Sequence, residues 1–464
     1  MSADQTSLMN MPLLEPTFDA SLLSRYDAAT PRYTSYPTAP HFRDDFGNAA
    51  LIEAIRASNE NPIPRPLSLY VHVPFCFSPC FYCGCMHIIS RNPAVADRYL
   101  RALLWEIERL APCFDRDRAL LQLHFGGGTP NFLDIARLER LMHSLEDNFS
   151  FAAPDLREFG IEIDPRFCDA EYVQGLARLG FNRISIGIQD FDPAVQGAIN
   201  RVHAIEKSRE VIQAAKQARF RSINVDLIYG LPKQSPESFS ATLEKVIELQ
   251  PTRIAVYGYA HLPTLFKAQK QIHADDLPDA AQRLQLFGLA LEKLSAAGYF
   301  YIGMDHFARG DDDLVAAQIA GTLQRNFQGY STCANCDILG VGVSAISRID
   351  GTYSQNHRQL ADYYAAIEAG ELAVCRGVVL SSDDVLRRDV IGRLMCHGEL
   401  DCLDINRTYD IDFDSYFADE LRRLARYAED GLVMLSSDRI TLTARGRLLV
   451  KNVASCFDAY TSYD

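Results

Sequence analysis

From residue 69 to residue 298 the chain repeats one pattern: a short apolar run, a polar turn, then a long amphipathic stretch. The apolar runs lie at 69–73, 121–125, 159–163, 183–188, 223–228 and 254–257. Stretches with a helical period lie at 94–110, 134–148, 169–179, 205–218, 236–249 and 279–298. Short apolar runs alternating with amphipathic helices read as βα units, whose strands pair in parallel. The predicted fold class is therefore α/β. Six consecutive units suit an open, partial (β/α)6 TIM-like barrel as well as a doubly wound sheet. Polar residues at the ends of several runs favour the barrel, whose sites gather at the C-terminal ends of the strands.

The first run leads into Pro74-Phe75-Cys76-Phe77-Ser78-Pro79-Cys80-Phe81-Tyr82-Cys83-Gly84-Cys85. Cys76, Cys80 and Cys83 are spaced C-x3-C-x2-C, so one loop can turn three thiolates toward a single cubane. Four thiolates would close every iron of a 4Fe–4S cluster. Three leave one iron with an open position, which a metal needs for chemistry on a small molecule. The small molecule implied is S-adenosylmethionine, whose amino and carboxylate groups chelate iron and whose C–S bond one electron cleaves. The alternatives are a zinc site or buried structural cysteines. Zinc wants a fourth ligand, and Cys85, two residues from Cys83, is poorly placed to supply it.

Other polar residues mark the ends of the runs. Gly126-Gly127-Gly128-Thr129-Pro130 follows the second. Three glycines admit a ligand to backbone N–H and C=O groups, or they form only a tight turn. After a strand whose neighbour ends in the cysteine loop, they are a candidate for holding the ammonium of S-adenosylmethionine. Glu162 closes the third run, Gln189 and Asp190 the fourth, Arg201 follows, and Asp226 sits inside the fifth. A charge in an apolar strand is costly unless partnered. Asp226 alone fits a structural ion pair as well as a ligand site; the set, converging on one mouth, fits a ligand site better. Asp305 and His306 end a later run in Gly303-Met304-Asp305-His306-Phe307-Ala308. They suit acid–base work or substrate orientation, or a satisfied core histidine.

Composition narrows the partners. A net charge of −14 and a pI near 5.3 argue against general affinity for nucleic acid or acidic membranes. No apolar stretch approaches the ~20 residues of a membrane span. The 12 cysteines are sparse for 464 residues and no signal peptide is expected at Met1, so a reducing cytoplasm is the predicted setting. Before Ala39 the one compact segment is Pro31-Arg32-Tyr33-Thr34-Ser35-Tyr36-Pro37, read as an arm that packs back on the body. After about Gln355 helical segments at 359–370, 383–396 and 413–429 precede a hairpin pattern at 431–443. Helices followed by a hairpin suggest a winged helix, for DNA binding or as a packing lid. The acidic residues beside it, Glu420, Glu429 and Asp430, favour the lid. The predicted segments are an N-terminal arm at 1–50, a barrel at 51–354 and a mainly helical C-terminal domain at 355–464.

Taken in order, these stretches resemble the oxygen-independent coproporphyrinogen III oxidases, radical S-adenosylmethionine enzymes of haem biosynthesis. The resemblance runs from about Arg25 to Tyr460. It rests on the arm at 31–37, the cysteine loop and the stretch at 303–308. It also rests on Asp226-Leu227-Ile228-Tyr229-Gly230-Leu231-Pro232, Tyr259-Ala260-His261-Leu262-Pro263, Asn326-Phe327-Gln328-Gly329-Tyr330 and Gly342-Val343-Ser344-Ala345-Ile346-Ser347. The arm and 303–308 are narrower signals than the cysteines, and are not expected in related haem chaperones.

The resemblance implies that Cys76, Cys80 and Cys83 ligate a 4Fe–4S cluster, and that Cys85 matches a fourth cysteine that is not a ligand. It places Tyr70 and Tyr82 beside the bound cosubstrate. Gly127, Gly128, Thr129, Glu162, Gln189, Arg201, Asp226, Ala260 and Ile346 would contact S-adenosylmethionine, of which the family can hold two molecules. The implied reaction takes a hydrogen from the β-carbon of a ring propionate, then removes one electron and carbon dioxide to leave a vinyl group. Done twice on coproporphyrinogen III, this yields protoporphyrinogen IX. It needs an electron donor and an electron acceptor that the sequence does not name, and nothing demands more than a monomer. An arm and a lid would shield the reaction from solvent. Arg32, Tyr33, Asp305 and His306 are the substrate-side candidates, with Arg32 a cation for the remaining propionates. The chain departs from the family pattern at Ser331-Thr332-Cys333-Ala334-Asn335-Cys336, where Cys333 replaces a glutamine. That change is loop drift, altered substrate handling, or a C-x2-C pair with redox or metal chemistry. Rival functions on this scaffold are a haem chaperone and another radical enzyme acting on a tetrapyrrole.

Overall fold

The computed structural model describes residues 15–27, 30–333 and 335–461. Their contacts group into two compact units that interleave along the chain. One comprises Phe42–Leu286 and Asn335–Val379; the other gathers residues up to His41, Phe287–Ala334 and the segment from Leu380 onward. Neither coincides with consecutive segments 1–50, 51–354 and 355–464.

The first unit is built on a sheet. Its strands β1 (Leu67–Val73), β2 (Ala119–Gly127), β3 (Glu158–Ile163), β4 (Arg183–Gln189), β5 (Ser222–Tyr229) and β6 (Arg253–Gly258) each pair in parallel with the next. Spatial order follows chain order from β1 to β6. A doubly wound sheet reverses at a switch point and places helices on both faces. Here the order never reverses, so right-handed crossovers lay successive helices on one face and the strands form a partial barrel. Apolar residues fill one face: Leu67, Leu69, Val71 and Val73 of β1 are buried, as are Phe125 and Phe159 in register with them, while Ser68, Tyr70 and His72 of β1 take the opposite face.

Beyond β1 the sheet continues where the sequence rhythm has stopped. Strand Asp337–Val341 pairs with β1 in parallel, and Ile346–Ile349, Thr352–Asn356 and Val374–Val379 follow antiparallel. Two buried polar contacts hold this extension. Arg118, before β2, reaches Asp337 at 2.6 Å with both side chains at most 2% exposed. Glu106 on helix Ala94–Leu110 accepts from Tyr363 Oη (2.7 Å), Asn356 Nδ2 (2.7 Å) and Gly342 N (2.8 Å).

The second unit has its own apolar core, including Tyr36, Ile302, Val390, Leu394, Phe413, Phe417 and Phe457. The aromatic arm packs into it as expected: Tyr33 Oη donates to Asp458 (3.0 Å) and Tyr36 Oη accepts from Ala459 N (2.9 Å). The expected helix at 413–429 is two, Phe413–Tyr416 and Ala418–Glu429. The break falls at Phe417, whose fully buried ring is wedged between Phe413 and Phe457. The C-terminal hairpin forms, and Glu399–Asp401 adds a third strand to it. No helix among the described residues is long and apolar enough to cross a membrane.

Candidate functional site

Parallel strands bring their C-terminal ends to one edge, so the residues that follow β1 to β6 become neighbours. At the end of β1 the chain turns through Phe75–Cys76, which pairs with Ile88–Ile89. Rings hold the cysteine loop: Phe77 packs on Phe132 and Phe167, with centroids at 4.8 and 4.3 Å. Phe81 and Tyr82 pack against a small core of Val195, Ile199, Ile228 and Leu231.

Each predicted thiol ligand meets donors. Thr129 Oγ1 donates to Cys76 Sγ (3.2 Å), and Arg201 Nη1 (3.4 Å) and Arg166 Nη2 (3.6 Å) to Cys80 Sγ. Cys85 N donates to Cys83 Sγ (3.4 Å), and His87 Nδ1 lies 3.7 Å from it. Hydrogen bonding from Cys85 pulls the Cys83 thiol well below its ordinary range, with His87 adding to the effect. Burial pushes Cys76 the other way, to about 12, and Cys83 and Cys80 are close enough to add to the rise. Cys85 helps hold the loop through its backbone N–H on Cys83.

The glycines serve the protein's own backbone. Gly128 N donates to Val73 O and Thr129 N to Phe75 O, both at 2.8 Å. A Cβ on Gly128 would lie 2.7 Å from Pro74 O, so the cysteine loop and β2 approach this closely only with glycine there. Gly127 has φ +113°, which side chains rarely adopt.

Around this corner stand the other predicted residues of the first unit. Glu162 Oε1 lies 3.1 Å from His124 Nε2, and Tyr70 stacks on the His124 ring. Arg201, 6% exposed, donates to Gly187 O (2.5 and 3.2 Å) and to Asp164 Oδ2 (3.0 Å). Burial lowers its pKa, but Tyr82, Asp164 and Cys80 outweigh burial and keep it charged. Gln189 closes β4 in a left-handed conformation (φ 71°) after a register shift, beside Arg201 around Gly187. Asp226 on β5 accepts from Ser185 Oγ and Asn224 Nδ2, both at 2.8 Å. Burial, aided by the Glu162 charge, raises its pKa to about 6. Among the described residues no cation lies in salt-bridge contact with it; Arg201 acts on it only at longer range. Ile346 opens the strand two places from β1.

Three residues here escaped sequence reasoning. Buried Gln269 donates from Nε2 to Tyr82 O (3.0 Å) and Ala260 O (3.2 Å), which ties these two predicted contact residues together. Arg166 doubles the cationic support at Cys80. His72 is buried, its pKa lowered to about 4 by burial, with Nδ1 3.1 Å from Tyr70 Oη and Nε2 left without a partner. Only position in β1, two residues after Tyr70, could have flagged His72.

The residues fit a cluster with an open corner. Among the described residues no three His, Cys, Asp or Glu side chains converge closely enough to hold a single metal ion. A cubane asks for a wider triangle, one thiolate on each of three irons. Donors to the sulfurs stabilise thiolates, and the orphaned His72 Nε2 is a polar atom awaiting a ligand.

The substrate-side candidates fall in the second unit. Strands Tyr299–Gly303 and His306–Arg309 form a hairpin whose turn is Met304-Asp305, with Met304 at φ 55°. The turn presents Asp305 to Arg32, which it pairs. His306 meets Tyr330 edge-on at 5.5 Å. Tyr33 is buried on Asp458, so it braces the arm while Arg32 beside it stays 45% exposed. Cys333 N donates to Ser331 Oγ (3.1 Å) in this unit, whereas Cys336 is buried in the first, its carbonyl accepting from Arg348 Nη2 (2.8 Å).

Comparison with known proteins agrees with this chemistry. Residues 70–246 match the Radical SAM superfamily, and residues 380–449 match the HemN C-terminal domain. The chain is 48% identical over 443 residues to the oxygen-independent coproporphyrinogen III oxidase of Pseudomonas aeruginosa, covering 96% of each. It is 47% identical over 450 residues to the Escherichia coli protein of that name, covering 97% of each. Among solved structures it matches coproporphyrinogen III oxidase (HemN) from Escherichia coli, described as a radical SAM enzyme. That match has a TM-score of 0.91 at 46% identity and covers 96% of this chain and 100% of that one.

Proposed function

Because the chain belongs to the oxygen-independent coproporphyrinogen III oxidase family of radical S-adenosylmethionine enzymes, we infer that it oxidatively decarboxylates two propionates of coproporphyrinogen III. The product is protoporphyrinogen IX, with two vinyl groups. The observation that carries this reading is the set of three loop thiols, each met by its own donors, at the C-terminal edge of the parallel strands. When bound, a 4Fe–4S cluster with S-adenosylmethionine supplies the one-electron chemistry that starts the oxidation.

The chain's residues do the rest. Cys76, Cys80 and Cys83 bind the cluster; Thr129, Arg201 and Arg166 offset the negative charge on two of the sulfurs. Glu162, Gln189, Arg201 and Asp226 present oriented polar groups to the cosubstrate, and Gln269 holds the Tyr82 and Ala260 carbonyls in place. Neutral His72 offers Nε2 at the same corner. The thiolates must stay reduced, which supports a reducing compartment, the cytoplasm; the reaction also takes an electron donor and an electron acceptor, and nothing in it calls for more than a monomer.

Anaerobic reconstitution with iron and sulfide, followed by coproporphyrinogen III, S-adenosylmethionine and a reductant, tests this. The expected product has lost two carbon dioxides and gained two vinyl groups. Stable haem binding with no such product would reassign the chain as a carrier.

A further inference from the structure

We propose that Lys451 and Arg325 form a carboxylate subsite in the second unit that holds a propionate of the tetrapyrrole. The proposal rests on the function inferred above and adds the residues that recognise the substrate's acid groups.

Three observations converge. First, the Nη1 of Arg325 is buried and has no hydrogen-bond partner among the described residues. The rest of its guanidinium is fixed: Nε donates to Arg32 O (3.2 Å), and the plane lies over the Tyr330 ring at 4.8 Å. Second, the Lys451 ammonium, on the short helix Val450–Ser455, has no hydrogen-bond partner among the described residues. Burial lowers its pKa, and it faces Arg32, Asp305, Asp27 and Arg325. Third, the charges do not balance. Arg32, Arg325 and Lys451 stand against Asp305, already engaged with Arg32, and exposed Asp27.

A half-buried cation without an acceptor is costly to maintain. Two of them within electrostatic reach of each other, one orphaned at a specific nitrogen, make a donor-rich place that lacks only anionic oxygen. A carboxylate supplies two oxygens: one for the fixed guanidinium edge, one for the mobile ammonium. Coproporphyrinogen III brings four propionates and loses two, so every turnover leaves acid groups that need such partners. The Asp305 carboxylate neutralises Arg32 and so directs the incoming acid to the other two cations.

The test uses cluster-loaded full chain and coproporphyrin III, the stable oxidised analogue of the substrate, followed by fluorescence quenching. Lys451→Met should weaken coproporphyrin binding by about tenfold or more, as expected on losing a charged hydrogen bond. It should raise KM for coproporphyrinogen III and leave kcat and S-adenosylmethionine affinity unchanged. Lys451→Arg should restore most of the affinity, and Arg325→Met should lose it like Lys451→Met. Equal coproporphyrin affinity in Lys451→Met and the unaltered chain overturns the proposal. Loss of S-adenosylmethionine binding in Lys451→Met, or no rescue by Lys451→Arg, also overturns it, because the residue is then structural. Failure of the unaltered chain to bind coproporphyrin at all would instead sink the function inferred above.

Discussion

Asp226→Asn should make this protein more stable at pH 8 while destroying its use of S-adenosylmethionine. The Asp226 pKa rises from 3.8 to about 6, chiefly through burial. The folded chain therefore keeps this proton at pH values where the unfolded chain has lost it. The group costs nothing below about pH 4, becomes increasingly unfavourable between there and about pH 6, and costs a constant amount above that. A shift of about two units corresponds to about 3 kcal/mol above pH 6, trimmed to about 2 because the side chain is only partly buried. Asparagine removes that cost but turns one amide hydrogen toward Ser185 or Asn224, both of which donate to Asp226 now. Losing one such bond costs about 1 kcal/mol. The net is a gain of about 1 kcal/mol at pH 8, most of which disappears at pH 5, where wild-type Asp226 is already largely protonated. In anaerobic melts followed by circular dichroism, 1 kcal/mol is roughly 2 °C. The variant should melt higher than wild type at pH 8, and the difference should shrink by pH 5. S-adenosylmethionine affinity should fall about tenfold or more. A melting difference that is the same at both pH values would show that the charge of Asp226 carries no such cost.

Other expectations follow from contacts of similar definition. Thr129→Val removes the hydroxyl that donates to Cys76; the cluster's reduction potential should fall, read by anaerobic redox titration, since hydrogen bonds to cluster sulfurs favour the reduced state. Arg118→Met leaves buried Asp337 with only Arg65 at 4.0 Å and the Asp350 N–H, and should lower unfolding free energy by about 3 kcal/mol in denaturant titrations, with the remaining folded protein still binding iron. The double variant Cys333→Ser, Cys336→Ser should keep its iron content and its activity; a loss of either would establish chemistry for the pair.

The strands and helices of the barrel were legible because each announces itself locally. β4 spans 183–189 where the apolar run spans 183–188, and the helix Pro236–Leu249 falls where the period puts it. The extension from Asp337 to Val379 was not legible, since its strands are short and earn their place by pairing with β1 and one another, far away in sequence. Phe417 shows the same limit inside one helix: periodicity continues through it, and only the rings of Phe413 and Phe457 explain the break. Around the site, Gln269 lies in an ordinary polar turn, and its two carbonyl partners come together only in the folded chain. Lys451 sits in an apolar run with nothing nearby in sequence to mark it.

Spacing alone singled out the three thiols as candidates, because ligands of one cluster on one loop must be near in sequence. Alternation alone determined strands, helices and parallel pairing. The uninterrupted order β1 to β6, and hence a partial barrel over a doubly wound sheet, belonged to the tertiary structure. So did the donors at each sulfur, the buried carboxylate of Asp226 and, among the described residues, the partnerless Nη1 of Arg325. Each depends on which distant groups meet and how much water they exclude, and local sequence carries neither.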